Sequence, residues 1–210
     1  MRIFILLLPA VLLGRGLNFG LVFGGNYQWY DLDIETQEAG DGMGFHAGLF
    51  IDKSISPSRF LVHLSSELDI SFYYHSYSWV VAQVGTASFL KEIDINSIYL
   101  PLLLKLNVNT LPFGINLGIG GYLLKNLSGN SKWKSGRFII QQDLEANRLE
   151  TDLGLIFRIS GRTRLAPLLY LYPCFAFRYN LTPDENYAGN SGPDESEYGI
   201  EFGINLGFSL

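Results

Sequence analysis

The sequence predicts an all-β fold, an eight-stranded antiparallel up-and-down transmembrane β-barrel. Three observations lead there. The stretch from Asp94 to Asn126 reads as two long strands around a tight turn, and its second half alternates with period two. Phe113, Ile115, Leu117, Ile119 and Leu123 fall on one face, and Gly114, Asn116, Gly118, Gly120 and Tyr122 on the other. About ten residues of such alternation is what a tilted strand needs to cross a bilayer. Composition points the same way: of 210 residues only 17% are charged, 14% are aromatic and 23 are glycine. A soluble helical domain carries more Lys, Glu and Ala. Finally, short and long connections alternate along the chain, as in outer membrane barrels.

Taken in order, the chain opens with Arg2 and an apolar run, Ile3 to Leu13, of secretory h-region length. Residues 1–16 read as a signal peptide, cleaved somewhere between residues 16 and 20, and residues 17–210 as the barrel domain. No cysteine follows the run, so the reading is export without a lipid anchor. The lone cysteine, Cys174, makes no internal disulfide. Eight strands are expected, near Gly20–Asp31, Met43–Asp52, Arg59–Tyr74, Asp94–Leu106, Pro112–Lys125, Thr151–Ser160, Leu165–Asn180 and Glu197–Ser209. Pro112 would open the fifth, where a missing N–H is tolerated. The nearest thing to a helix is Gln141–Glu150, a polar turn or two.

The short connections are Lys53–Ser58, Asn107–Leu111 and Gly161–Arg164; the long polar ones are Leu32–Gly42, His75–Ile93, Asn126–Glu150 and Leu181–Ser196. With eight strands both termini lie at one rim, the periplasmic one. Trp29, Tyr30, Tyr73, Tyr74, Tyr77, Trp79, Tyr122, Tyr179 and Tyr198 would form an outer aromatic girdle. Phe23, Phe60, Phe113 and Phe208 would mark the other end.

One face of the strands is apolar: Phe45, Leu49, Ile51, Val62, Leu64, Leu68, Ile70, Phe72, Leu153, Leu155, Phe157, Ile200, Phe202, Ile204 and Leu206. Its complement holds Asn26, Gln28, His46, His63, Ser65, Glu67, Asp69, Asn116, Asp152, Arg158, Arg178, Glu201 and Asn205. In a secreted lipocalin-type barrel the apolar face turns inward; in a membrane it turns to lipid. Many glycines and few Lys or Glu in the polar set favour the membrane arrangement. Glu67, Asp69, Asp152 and Glu201 then share a narrow lumen with Lys105, Arg158 and Arg178. Buried charge demands pairing, so ion pairs of Glu67, Asp152 or Glu201 with Arg158 or Arg178 are expected, plugging the lumen.

His63-x-Ser65-x-Glu67 is the one constellation with catalytic chemistry, since period two places all three on one face. His46 and His75 lack zinc-ligand spacing. The acidic runs Asp31/Asp33/Glu35 and Asp184/Glu185 with Asp194/Glu195/Glu197 lack the order of an EF-hand loop. Neither a metal nor another cofactor is expected. The acceptor pattern for glycosylation occurs at Asn126 and Asn180. The loop Lys125–Glu150 combines Lys132, Trp133, Lys134 and Arg137 with Phe138-Ile139-Ile140. That patch suits anionic lipid heads or a partner protein. The expectation is that the loop folds back over the mouth and buries Phe138 to Ile140; extension of the fifth and sixth strands as a hairpin is the alternative. A net charge of −5 disfavours nucleic acid.

The segment Ile98-Tyr99-Leu100-Pro101-Leu102-Leu103-Leu104-Lys105 resembles the proline-bearing strand of the PorT-like outer membrane β-barrel proteins common in Bacteroidetes. Gly44–Phe50, Asp152–Leu155 and Tyr198–Phe208 are similar in kind. The resemblance implies an outer membrane barrel without enzymatic activity, a structural scaffold or accessory subunit of an envelope or type IX-like secretion assembly. Its partners would be outer membrane lipid, lipopolysaccharide and other envelope proteins. The His63/Ser65 spacing is similar to that of outer membrane lipid A deacylases, and implies the alternative of a lipid-modifying hydrolase. In those enzymes the pair faces lipid, whereas here it lies on the polar face. A narrow pore or small-ligand binder is a further alternative.

Overall fold

The computed structural model describes residues 16–31, 41–57, 61–84, 87–110, 113–144, 151–182 and 196–209. Outside them lie nearly all of the predicted signal peptide, Phe60, Pro112, Asp33, Glu35, Asp184, Glu185, Asp194 and Glu195. The described strands are β1 (Leu17–Asp31), β2 (Asp41–Ser54), β3 (Val62–Val84), β4 (Ala87–Thr110), β5 (Phe113–Ser135), β6 (Phe138–Asp143), β7 (Thr151–Ala166), β8 (Leu169–Asn180) and β9 (Ser196–Ser209). All pairings are antiparallel. The first strand meets the last in an unbroken ladder from Asn18 opposite Ser209 to Asp31 opposite Ser196, which closes the sheet. Eight strands form the wall, and β6 folds back along the end of β5. Both ends of the wall sequence sit at the same rim, as the even strand number requires.

The facing is that of a membrane barrel. Every residue of the sequence-predicted polar set is buried inside. Of the apolar set, all but the half-buried Ile200 and Leu206 are exposed on the outer wall. An interior of eight strands is just wide enough for side chains to fill, and small residues make the fit. A side chain at Gly24 would run into the ring of His46, and one at Gly48 into Ser71.

Several expectations fail, each for a physical reason. Two long polar connections are mostly strand: β3, β4 and β5 run for 23, 24 and 23 residues. At a rise of about 3.3 Å per residue this is roughly 75 Å of strand, far more than a core of about 30 Å needs even when tilted. Segments polar on one face still pair when they face water, so His75–Val84 pairs with Ala87–Ile93, and most of Asn126–Asp143 likewise continues the ladder. Gln141 to Asp143 are strand, not a helical turn. The turn placed at Gly161–Arg164 sits instead at Pro167–Leu168, where proline ends the pairing. Lastly, Tyr73, Tyr77 and Tyr122 point into the barrel. Tyr73 and Tyr77 share the parity of Glu67 and Asp69, and Tyr122 that of Asn116, so the alternation that buries one set buries the other. The outer girdle is built from Tyr27, Trp29, Tyr74, Tyr179 and Tyr198, with Trp29 stacked on Tyr198 at 5.9 Å. At the opposite rim Phe19 stacks on Phe208, while Phe23 sits mid-wall opposite Ala47.

Candidate functional site

The lumen holds the densest chemistry. Lys105 on β4 reaches Asp52 on β2 and Glu67 on β3, each at 2.5 Å. Arg158, across the barrel on β7, meets Glu67 at 2.6 Å and Asp69 at 2.8 Å. The result is one chain of alternating charge, Asp52–Lys105–Glu67–Arg158–Asp69, whose members are all nearly inaccessible. Such pairs hold only when the geometry is good and the remaining valences are met; here each cation serves two carboxylates. Asp69 stands opposite Pro101 in the β3–β4 register, where the ladder skips the rungs between Leu68 and Ser71 because proline offers no N–H.

Toward the other rim, Arg178 on β8 lies 3.0 Å from Glu201 on β9. Its guanidinium sits 4.8, 5.4 and 5.1 Å from the ring centres of Tyr73, Tyr99 and Tyr122, a cation held against aromatic faces. It also donates to the Tyr73 hydroxyl at 2.6 Å. Gln28 joins Tyr73 to Tyr77, and Tyr77 donates to Glu197 at 2.9 Å. Asn180, one of the two glycosylation-pattern residues, donates to Glu197 at 2.6 Å, and the other, Asn126, accepts from Ser97. Both are buried in the lumen, away from any modifying enzyme.

Of the expected lumen set, Glu67, Asp69, Lys105, Asp152, Arg158, Arg178 and Glu201 all face inward. The expected pairings Glu67–Arg158 and Glu201–Arg178 form. Asp152 is buried in the lumen, but the carboxylates paired to the two arginines are Glu67, Asp69 and Glu201. Asp52 was missed, although it follows Ile51 in the same alternation. The tyrosine cage escapes the sequence because tyrosine suits a membrane interface as well as a crowded lumen.

His63, Ser65 and Glu67 share the lumen face without contacting one another through these bonds. Ser65 Oγ donates to Asp52 at 3.1 Å and accepts from Asn107 at 2.8 Å. The His63 ring bonds Asn109 at 3.3 Å, and Glu67 lies between Lys105 and Arg158.

The basic–aromatic loop residues stand beyond the rim. Lys132 pairs with Asp94 and Glu92, Lys134 with Glu92, and Lys91 rests 5.3 Å from the Trp133 ring centre. Hydrogen bonding to Asp94 holds the Lys132 ammonium above the ordinary lysine range. The two lysines of the patch are therefore matched by the cross-strand acids Glu92 and Asp94. Phe138, Ile139 and Ile140 are not buried: they are 81, 64 and 69% exposed, because the hairpin stands off the mouth instead of folding over it. Arg137 occupies the exposed turn.

Among solved structures the chain is similar to the outer membrane protein OprG from Pseudomonas aeruginosa, at 13% identity and a TM-score of 0.50, covering 93% of this chain and 97% of that one. It is also similar to Neisserial surface protein A (12% identity, TM-score 0.41, 91% and 97% covered) and to the outer membrane protease OmpT from Escherichia coli (8%, 0.45, 93% and 95%). No protein-family model and no curated protein matches the chain. An apolar outer wall around a closed, charged interior decides the class. This is a transmembrane β-barrel of the outer membrane type. Among the described residues the barrel has no His, Cys, Asp or Glu group arranged to hold a metal ion.

Proposed function

We propose that the protein is a non-enzymatic outer membrane barrel whose plugged lumen makes it a rigid scaffold, acting as an accessory subunit of an envelope or secretion assembly. The observation that carries this reading is the ion-pair chain from Asp52 to Asp69, which braces β2, β3, β4 and β7 across the lumen. Burying five charges in a solute path is costly; burying them as a brace gives the barrel stiffness. Both termini lie on the periplasmic side in this reading, with the long hairpins outside. The type IX-like role rests on the resemblance of Ile98–Lys105 to PorT-like proteins, with Pro101 at the centre of the lumen wall.

The non-enzymatic part is supported by what Ser65 and Glu67 do. The Ser65 hydroxyl is directed at Asp52 and Glu67 is engaged by two cations, so neither serves His63. The purified barrel in a planar bilayer is expected to show no steady conductance, and open-channel currents would reject the plug. Ser65→Ala is expected to leave the membrane lipid profile of the producing cell unchanged; a lost lipid modification would establish the hydrolase instead.

A further inference from the structure

Past the rim, β3, β4, β5 and β6 continue as an open sheet, and its two edges differ. On the β3 side, beyond the last rung with β2 at Ser78, the β3–β4 ladder carries a register shift between Val80 and Ala82. Bulges of that kind blunt an edge against pairing. The other edge is β6, with the sequence Phe-Ile-Ile-Gln-Gln-Asp. It has no Lys, no Pro and no bulge, and all six residues are exposed. Among the described residues no strand pairs with its second edge.

The hairpin determines which backbone groups reach that edge. Gly136, with φ 58°, and Arg137 form the two-residue turn between Ser135 and Phe138. Residues flanking such a turn are a hydrogen-bonded pair. Phe138, Ile140 and Gln142 therefore bond β5, and Ile139, Gln141 and Asp143 present their N–H and C=O groups outward. Lipid cannot satisfy such a row. The tip also stands about 30 Å of strand beyond the last β5–β7 rung at Lys125, by the usual strand rise.

We propose that β6 pairs antiparallel with β6 of a second copy. Complete hydrogen bonding requires the odd-numbered residues to face one another. The register centred on Ile140 does this, and sets Ile139 opposite the partner's Gln141 and Phe138 opposite the partner's Gln142. It also sets Arg137 opposite the partner's Asp143, and by symmetry the reverse, so opposite charges meet at both ends. A shift of two residues either way parts them. The two-fold axis of an antiparallel strand pair is perpendicular to the sheet. Because the strands climb away from the rim, that axis lies near the membrane plane and the two barrels point in opposite directions. The pairing joins molecules standing in facing membranes, not neighbours in one. One six-residue strand pair is smaller than a standard stable interface, so the strength comes from many copies acting together across two surfaces.

The test uses the full-length protein in a Cys174→Ala background, with heat-modifiable gel mobility confirming that each variant is folded. Under mild oxidation in detergent, Ile140→Cys is expected to give disulfide dimers, because the register places this residue against itself about 4.5 Å away at Cα. Phe138→Cys is expected to give none. In proteoliposomes, the unaltered protein is expected to cluster vesicles. Arg137→Asp alone and Asp143→Arg alone should each slow clustering at least tenfold, and mixing the two vesicle populations should restore it, since each supplies the charge the other lacks. Equal cross-linking at residues 138 and 140, or clustering indifferent to these charges, would overturn the proposal, as would vesicles that never cluster.

Discussion

The wall of the barrel and the sheet that rises from it are made of the same strands, yet their chemistry is inverted. On β4 the even-numbered residues point outward from Glu92 to Leu106. Within the wall they are Leu102, Leu104 and Leu106; beyond the rim they are Asn96, Asp94 and Glu92. The odd-numbered residues point inward, and change from Lys105 and Asn107 to Ile95 and Ile93. Above the rim these isoleucines pack with Tyr77 and Leu144, while Lys132 and Lys134 pair with Glu92 and Asp94 on the outside. Period two settles which residues share a face; the surrounding medium settles what each face must be. Where the outside is lipid, charge goes in and must be cross-braced. Where the outside is water, the ordinary arrangement returns.

This contrast predicts that equal chemical changes have unequal costs. The largest is expected from Arg158→Glu, which leaves Glu67 and Asp69 facing a third carboxylate. Breaking a buried pair costs about 3–5 kcal/mol. Urea unfolding in lipid vesicles and loss of heat-modifiable mobility measure it, and unchanged mobility would mean the lumen network is not a brace. Next is Leu117→Arg on the outer wall, expected to cost about 2–4 kcal/mol in the same assay, whereas the same change in a soluble barrel's exterior would be nearly neutral. Tyr73→Phe removes a hydroxyl that bonds Arg178 and Gln28, with an expected loss of about 1–3 kcal/mol. If its unfolding midpoint matches the parent, the tyrosine cage is packing alone.

The smallest effect belongs to the projecting sheet. Asp94→Asn removes a partner of Lys132, the more accessible member of a pair on the water-facing sheet, and should cost less than about 1 kcal/mol, diminishing further in salt. Its pH dependence follows from the two partners. Burial raises the Asp94 carboxyl, but hydrogen bonds from Lys132, Ser76 and Tyr74 outweigh it and leave the group below its ordinary value. The stability it adds is present above its unfolded value and is lost as pH falls through its lowered folded one. Lys132 is raised, so its share is complete below its unfolded value and is lost only as pH rises through the higher folded one. Hydrogen exchange of the β4–β5 amides beyond Asn96 should therefore report no weakening of this pair near neutrality. Increased exchange between pH 6 and 8 in the parent, absent in Asp94→Asn, would contradict this.

How much of this was legible depended on the distance over which an interaction acts. Alternation is local, and the inward set from Asn26 to Asn205 could be read residue by residue. Strand ends were not legible, because polar residues in His75–Val84, Ala87–Ile93 and Asn126–Asp143 pair as well in water as apolar ones do in lipid. Tyr73 and Tyr122 were misread because tyrosine suits an interface and a crowded lumen equally, and only parity separates them. Asp52 was readable in principle: it follows Ile51 on the opposite face.

By itself, then, the sequence determined that eight strands of period two would close, and which side chains would be confined together. The tertiary structure decided who meets whom. Arg158 and Glu67 are 91 positions apart, and Arg178 and Tyr73 are 105 apart. No local pattern relates them. They meet because β1 pairs with β9, and closure brings opposite walls within the reach of one guanidinium.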